Sequence, residues 1–202
     1  MSFNPSRPAR DAVLQPFATG ALPGGLRGTA GTSISAVEQG EGSLRRTILY
    51  VTTPISVVTT PDTAALGDGI LVYTFPAGQI IVHQVYGDCG LEINDATNVP
   101  DTPEVGLGTT LTTGAVATLG ASAATDENIW GPHVVTGCDV GADTGDAIQL
   151  VSVKNLVIAG AGAHTVYFNC ADTWANGAGT ADVFLQQGRF VIDWTLLPIE
   201  GV

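Results

Sequence analysis

Residues 70–86 read ILVYTFPAGQIIVHQVY. Two runs rich in β-branched and aromatic residues, the composition of strands, flank Pro76-Ala77-Gly78. In the first run Ile70, Val72 and Thr74 alternate with Leu71, Tyr73 and Phe75, so both faces are apolar and both require cover. In the second, Ile80, Val82, Gln84 and Tyr86 share one face, while Ile81, His83 and Val85 share the other. Pro76 presets φ and Gly78 tolerates a positive φ, so the stretch predicts a tight antiparallel hairpin at the centre of a sheet.

The same texture repeats outward from this stretch. Arg46–Thr53 (RTILYVTT) and Ile55–Thr60 (ISVVTT) are followed by Pro54 and Pro61, which predicts short strands, strands near an edge, or one strand broken by a bend. Downstream come Gly90–Ile93, an acidic loop over Asn94–Glu104 and a Thr/Gly-rich stretch over Val105–Thr113. Ala115–Ala124 reads equally as a helical turn or a loop. Ala147–Ile158 reads as a long strand or a bulged pair, with its irregularity expected at Lys154-Asn155. In His164–Cys170, Val166, Phe168 and Cys170 share one face. Thr180–Gln187 and Arg189–Leu197 read as a second hairpin through Gly188. Its last strand turns Phe190, Ile192, Trp194 and Leu196 inward and Arg189, Val191, Asp193 and Thr195 outward. Eight to ten strands at this spacing predict an all-β, antiparallel β-sandwich of jelly-roll-like topology.

Composition agrees. The 202 residues are 45% hydrophobic and 13% charged, with 26 glycines, too apolar for a disordered chain and too poor in Lys and Glu for surface helices. The texture divides the chain into an extended N-terminal arm over residues 1–45 and a sandwich domain over 46–202. The arm has no sustained period, carries Pro5, Pro8, Pro16 and Pro23, and cannot form a core alone. Ordering it costs about 1 kcal/mol per residue, which extended contact with a neighbouring chain would offset; the alternative is an arm wrapped on its own body. Met1–Pro8 does not resemble a secretory signal, and no apolar run approaches the roughly 20 residues of a spanning helix, so a protein made in the cytoplasm is expected.

The net charge of -12 is unevenly placed. Residues 1–46 hold five basic residues (Arg7, Arg10, Arg27, Arg45, Arg46) against three acidic ones, leaving two basic against sixteen acidic beyond. An acidic body repels nucleic acid and anionic membrane, so neither is an expected partner. The five arginines are candidate contacts to an acidic protein surface. Trp130 and Trp174, beside Gly-Pro and Ala-Asn-Gly, read as loop tryptophans suited to anchoring a partner.

No constellation for catalysis emerges. Cys89, Cys138 and Cys170 are odd in number and far apart, which predicts reduced, buried thiols. Each has a histidine five or six residues before it, at His83, His133 and His164, but six residues of strand span roughly 20 Å, too far for one ion unless the chain turns. A turn at Gly87 would let His83 and Cys89 converge, and His133 and Cys138 lie in a Gly-containing loop. Asp139, Asp143 and Asp146 would suit a solvated acidic turn or a divalent cation, without the spacing of an EF-hand. Asp143-Thr144-Gly145 lacks the preceding apolar strand and the second copy an aspartic protease needs, and Ser122 lacks the second glycine of a nucleophile elbow. No cofactor, no metal site and no enzymatic activity are expected.

With the N-terminal arm, VYTFPAG at Val72–Gly78, the Tyr167–Asn169 strand and GRFVIDW at Gly188–Trp194 in view, the chain resembles the β-sandwich virion proteins of tailed bacteriophages, most closely their capsid decoration, or cement, proteins. The resemblance implies a homo-oligomer, often a trimer, on the outer surface of a virion. There it would bind the major capsid protein, with the arm bridging capsomers. A receptor- or glycan-binding jelly roll of a phage tail or fibre is the alternative it leaves open.

Overall fold

The computed structural model describes residues 27–41, 43–59, 66–93, 102–120, 125–135, 150–174 and 182–197. Among them are eleven strands: β1 (Thr29–Ala30), β2 (Ile34–Glu41), β3 (Leu44–Val51), β4 (Ile55–Thr59), β5 (Gly67–Phe75), β6 (Gln79–Ile93), β7 (Glu104–Gly108), β8 (Trp130–Val134), β9 (Leu150–Ile158), β10 (His164–Ala171) and β11 (Asp182–Leu197). They form a five-stranded sheet, β1-β5-β10-β7-β8, and a six-stranded sheet, β2-β3-β11-β6-β9, with β4 also pairing with β11; every pairing is antiparallel.

The order identifies the topology. If β1, β2 and β4 are set aside, eight strands remain, and the first pairs with the last (β3·β11), the second with the seventh (β5·β10), the third with the sixth (β6·β9) and the fourth with the fifth (β7·β8). That nesting is a folded ribbon wrapped around a core, the jelly roll. The expected all-β sandwich is therefore the observed fold.

The predicted central hairpin is not a hairpin. β5 and β6 lie in different sheets, β5 beside β10 and β6 beside β11, so Pro76-Ala77-Gly78 carries the chain across the end of the sandwich. Gly78 has φ +132 there, as the turn chemistry requires. Each strand also holds an extra residue that rephases its alternation. In β5 the register skips Val72, so Val72 and Tyr73 are both buried and Leu71 is exposed. In β6 it skips His83, so Ile80 and Val82 point inward before it and Val85 after it, which turns Tyr86 outward. Opposite this bulge β9 passes over Lys154 and Asn155, and Asn155 has φ +51: the irregularity stands where it was expected.

Gly188 does not turn the chain either. β11 runs sixteen residues through it, with an irregularity between Leu185 and Gln187. The inward set Phe190, Ile192 and Trp194 is fully buried, as are Val166, Phe168 and Cys170 of β10. β3 and β4 follow one another along β11, as expected of one strand broken at Pro54. The boundary expected at residue 45 shifts. Residues 29–30 and 34–41 are strands of the two sheets, so this part of the predicted arm belongs to the sandwich; residues 1–26 lie outside the described set. Residues 115–120, left open between helix and loop, are loop.

Two polar networks fix the layers. Between the sheets, Trp194 Nε1 donates to Thr47 Oγ1 (2.8 Å), Thr47 Oγ1 donates to the Tyr73 hydroxyl (3.4 Å), and Tyr73 donates to the Glu38 carboxylate, which also accepts Gly28 N–H (2.7 Å). Trp194, Thr47 and Tyr73 are fully buried. Outside the five-stranded sheet, Asn169 of β10 holds the β7–β8 connection. Its Oδ1 accepts Thr112 N–H (3.0 Å), and its Nδ2 donates to the Thr110 and Asp126 carbonyls (2.9 and 2.6 Å). The buried Asp126 carboxylate accepts Thr112 Oγ1–H and Gly120 N–H. One outer face is thus covered by the chain's own loop.

Gly87 is dictated by space. A Cβ there would lie 2.4 Å from Cε2 of Trp130, the largest fully buried ring, whereas one at Gly162 would meet nothing within 4 Å. Gly87→Ala is expected to lower unfolding free energy by about 1–3 kcal/mol through overpacking, and Gly162→Ala to leave it unchanged or raise it by up to about 1 kcal/mol. Denaturant melts of the two variants check this. Burial, then the charge of Glu38 and the hydrogen bond to it, hold the Tyr73 pKa far above that of a free tyrosine. The unfolded chain ionises Tyr73 near pH 10 while the folded one keeps the proton, so this contribution is complete below about pH 10 and falls by about 1.4 kcal/mol per pH unit above it. Tyr73→Phe should lose that part of the alkaline slope in melts across pH 9–11.5.

Candidate interaction face

The outer face of the six-stranded sheet is built of cross-strand rows. Registers place Val37, Ile48, Val191 and Tyr86 side by side across β2, β3, β11 and β6. The next row is Gln39, Arg46, Asp193 and Gln84, and beyond it Leu44, Thr195, Ile81 and Val157. On the other side stand Ser35, Tyr50, Arg189 and Asp88. Apolar rows therefore alternate with polar ones across the face. The cause is the pleat: outward residues recur every second position and antiparallel pairing aligns them, the extra residue His83 carrying β6 from Gln84 in one row to Ile81 in the next.

In the outermost apolar row Leu44 is 56% and Val157 50% exposed, and in the polar row on the other side Tyr50 is 38% exposed, whereas Val37, Ile48, Val191 and Tyr86 are half-buried. The polar rows are bonded within the sheet. Arg46 Nε and Nη2 reach the two oxygens of Asp193 at 2.6 and 2.8 Å, a bidentate fork, and that bond, before the charge itself, raises the Arg46 pKa. The Arg189 guanidinium lies 6.0 Å from the centre of the Tyr50 ring. His83, on the bulge, contacts Thr195 Oγ1 at 2.7 Å. A shallow depression of about 240 Å³ opens between Arg46, Gln84, Tyr86, Arg189, Val191 and Asp193.

The expected contact residues fare unequally. Arg46 stands on this face. Arg27 is exposed ahead of β1, and Arg7 and Arg10 lie outside the described residues. Arg45 is a correction: it points inward from β3 and is 5% exposed, because its neighbour Arg46 takes the outward side of the pleat. Trp130 and Trp174 are corrections too. Trp130 is fully buried on β8 against His133 and Phe190, and Trp174 is 4% exposed with its Nε1 donating to the Leu66 carbonyl (2.8 Å). A tryptophan without accessible surface has no ring to offer a partner. Tyr50, Tyr86 and Arg189 also stand on this face; alternation along β3 and β11 places Tyr50 and Arg189 outward, whereas Tyr86 is turned outward only by the bulge at His83, which no local alternation signals.

Cys89 and Cys170 are buried and unbridged, and burial followed by the Asp88 charge pushes the Cys89 thiol up to about 12. β6 runs unbroken through Gly87, so His83 and Cys89 stand on opposite faces of one strand and do not converge. Cys138, Asp139, Asp143 and Asp146 lie outside the described residues.

No family model matches the chain. No curated protein matches it. Among solved structures it is similar to a chain of a cyanophage Pam1 capsid asymmetric unit, at 15% identity and TM-score 0.35, over 96% of this chain and 100% of that one. The fold assignment rests on strand order, not on that likeness.

Since Arg46 and Asp193 form a planar fork across neighbouring strands, a double-mutant cycle with Arg46→Ala and Asp193→Ala is expected to give a coupling of about 0.5–1 kcal/mol that shrinks in molar salt.

Proposed function

We propose that this protein is a non-enzymatic structural component of a virion, which binds the outer surface of a shell of major capsid protein and stabilises its lattice. The observation that supports this reading is the outer face of the six-stranded sheet, where solvent-open Leu44 and Val157 on one side and the half-buried row Val37, Ile48, Val191 and Tyr86 on the other flank the internally bonded Arg46–Asp193 row on a wide sheet surface. Such a surface suits a broad protein partner: the apolar rows supply burial, and the bonded charges impose register without leaving an ion unpaired. Arg7, Arg10 and Arg27, in or beside the N-terminal segment, add positive charge toward an acidic neighbour. The acidic body would keep the protein off nucleic acid and anionic membrane.

A glycan-binding module is the second reading. The depression between Tyr86, Gln84 and Asp193 favours it, since an aromatic edge beside hydrogen-bonding groups is sugar-binding chemistry.

Val191→Glu combined with Tyr50→Ala should leave circular dichroism unchanged and reduce co-sedimentation with purified capsid shells at least about tenfold, a loss of roughly 1.4 kcal/mol. Shells carrying the wild-type protein should melt at higher temperature than bare shells. Binding unaffected by the double substitution, or shells no more stable when decorated, would refute the reading. Saturable binding of host polysaccharide, lost in the same variant, would favour the second.

A further inference from the structure

An antiparallel sandwich leaves sheet edges, and a free edge is a template for another strand unless the sequence blunts it. Most edges here are blunted. β1 is two residues long, and β8 contains Pro132. β9 is broken at Asn155 in a left-handed conformation, and β4 is five residues long with a register shift against β11. β2 differs: eight residues in unbroken register with β3, without proline or lysine, and no described strand on its other side.

The free groups of that edge follow from one bond. Thr52 N–H donates to the Ser33 carbonyl at 2.9 Å, so Ser33 and, by alternation, Ser35, Val37 and Gln39 turn their backbone groups toward β3. Ala36, Glu38 and Gly40 turn theirs away. Glu38 is the charged side chain pointing inward from this edge, the usual obstacle to pairing. Its carboxylate already accepts from Gly28 N–H and Tyr73, so it loses nothing further when a strand arrives.

We propose that β2 is a homodimerisation edge, pairing antiparallel with β2 of a second copy about a two-fold axis through Val37 and joining two six-stranded sheets into one. The register is chosen by complementarity. With the axis at Val37, the stretch from Ile34 to Gly40 lies opposite the same stretch of the second copy, Glu38 faces the second copy's Ala36, and Ile34 N–H alone stays with its own chain, donating to the Gly31 carbonyl (3.2 Å). Moving the axis to Glu38 sets two carboxylates opposite each other; moving it to Ala36 leaves Gly40 unpaired and sets Ser35 against Val37. At Val37 alone the apolar row Val37, Ile48, Val191 and Tyr86 continues unbroken into the same row of the second copy. A strand from an unrelated protein has no reason to repeat that pattern, and this chain necessarily does.

The inference is independent of the virion reading, since its test uses the purified full chain without any shell. Strand pairing of this length buries less than the roughly 1,200 Å² of a tight interface, so sedimentation is run up to about 100 μM. The expected result is a dimer of the 20.6 kDa chain. Ala36→Pro removes an N–H that faces away from β3, and Val37→Lys sets two ammonium groups together on the axis; each should weaken dimerisation at least about tenfold. Val37→Cys should cross-link two chains under mild oxidation, which holds as evidence even if Ala36→Pro fails to fold. A monomer at 100 μM, a trimer, a dimer indifferent to Val37→Lys, or no cross-link through Val37→Cys overturns the proposal. So does a monomer that dimerises only when residues 1–26 are removed, because the edge is then filled by the chain itself.

Discussion

The structure depends on the ladder that β11 makes with its neighbours. From Val183↔Ile93 to Leu197↔Gln79 it pairs with β6, and on its other flank Asp182–Leu185 pairs with β4 and Arg189–Thr195 with β3. The C-terminal strand thus lies between segments more than 85 residues earlier in the chain. β3 is held by β2 and β6 by β9, but among the described strands only β11 joins the two flanks, which gives the fold a large share of non-local contacts and the slow folding that accompanies them. The two halves of the six-stranded sheet, and with them the rows on its outer face, are brought into register by this one strand.

A ladder fixes strands within a sheet but not one sheet against the other. Apolar packing between sheets resists separation and only weakly resists sliding. The donor chain from Trp194 through Thr47 and Tyr73 to Glu38 supplies direction: it crosses from β11 and β3 to β5 and returns to β2, with each hydroxyl both accepting and donating. Inside the sandwich such a chain is strong only when complete, because a slipped sheet would leave buried hydroxyls and a carboxylate unbonded. It also ties in β2, whose Glu38 would otherwise be a charge turned toward a core.

Much of the fold was legible. Alternation placed the inward faces of β10 and β11 and the irregularity at Lys154-Asn155, because a strand with one face in the core obeys period two. Residues 70–86 were misread for a physical reason. A tight turn specifies that the chain reverses, but not whether the two strands bond to each other or to strands far away. Two unannounced bulges, at Val72 and His83, then shifted the phase. β2 was hidden because its inward residues include Glu38 and Ala36, which carry no apolar period. Trp130 and Trp174 were judged by their Gly and Pro neighbours. Yet what buries Trp130 is a glycine in another sheet, Gly87, and no local window contains that pairing.

The candidate face was legible in part, and charge explains why it matters. The chain carries -12, so at long range two copies repel, as do this protein and any acidic surface. Arg46 and Arg189, two of only seven basic residues, stand on the outer face of the six-stranded sheet, each in a row with an aspartate, Asp193 or Asp88. The face is therefore close to neutral on an acidic molecule. On the proposed reading a partner would meet little net charge there, with Leu44 and Val157 left to be buried. Salt screens the repulsion between bodies more than it weakens contact at a neutral, largely apolar patch. Association through this face should consequently strengthen as ionic strength rises, opposite to the salt dependence of an arginine arm on an acidic partner.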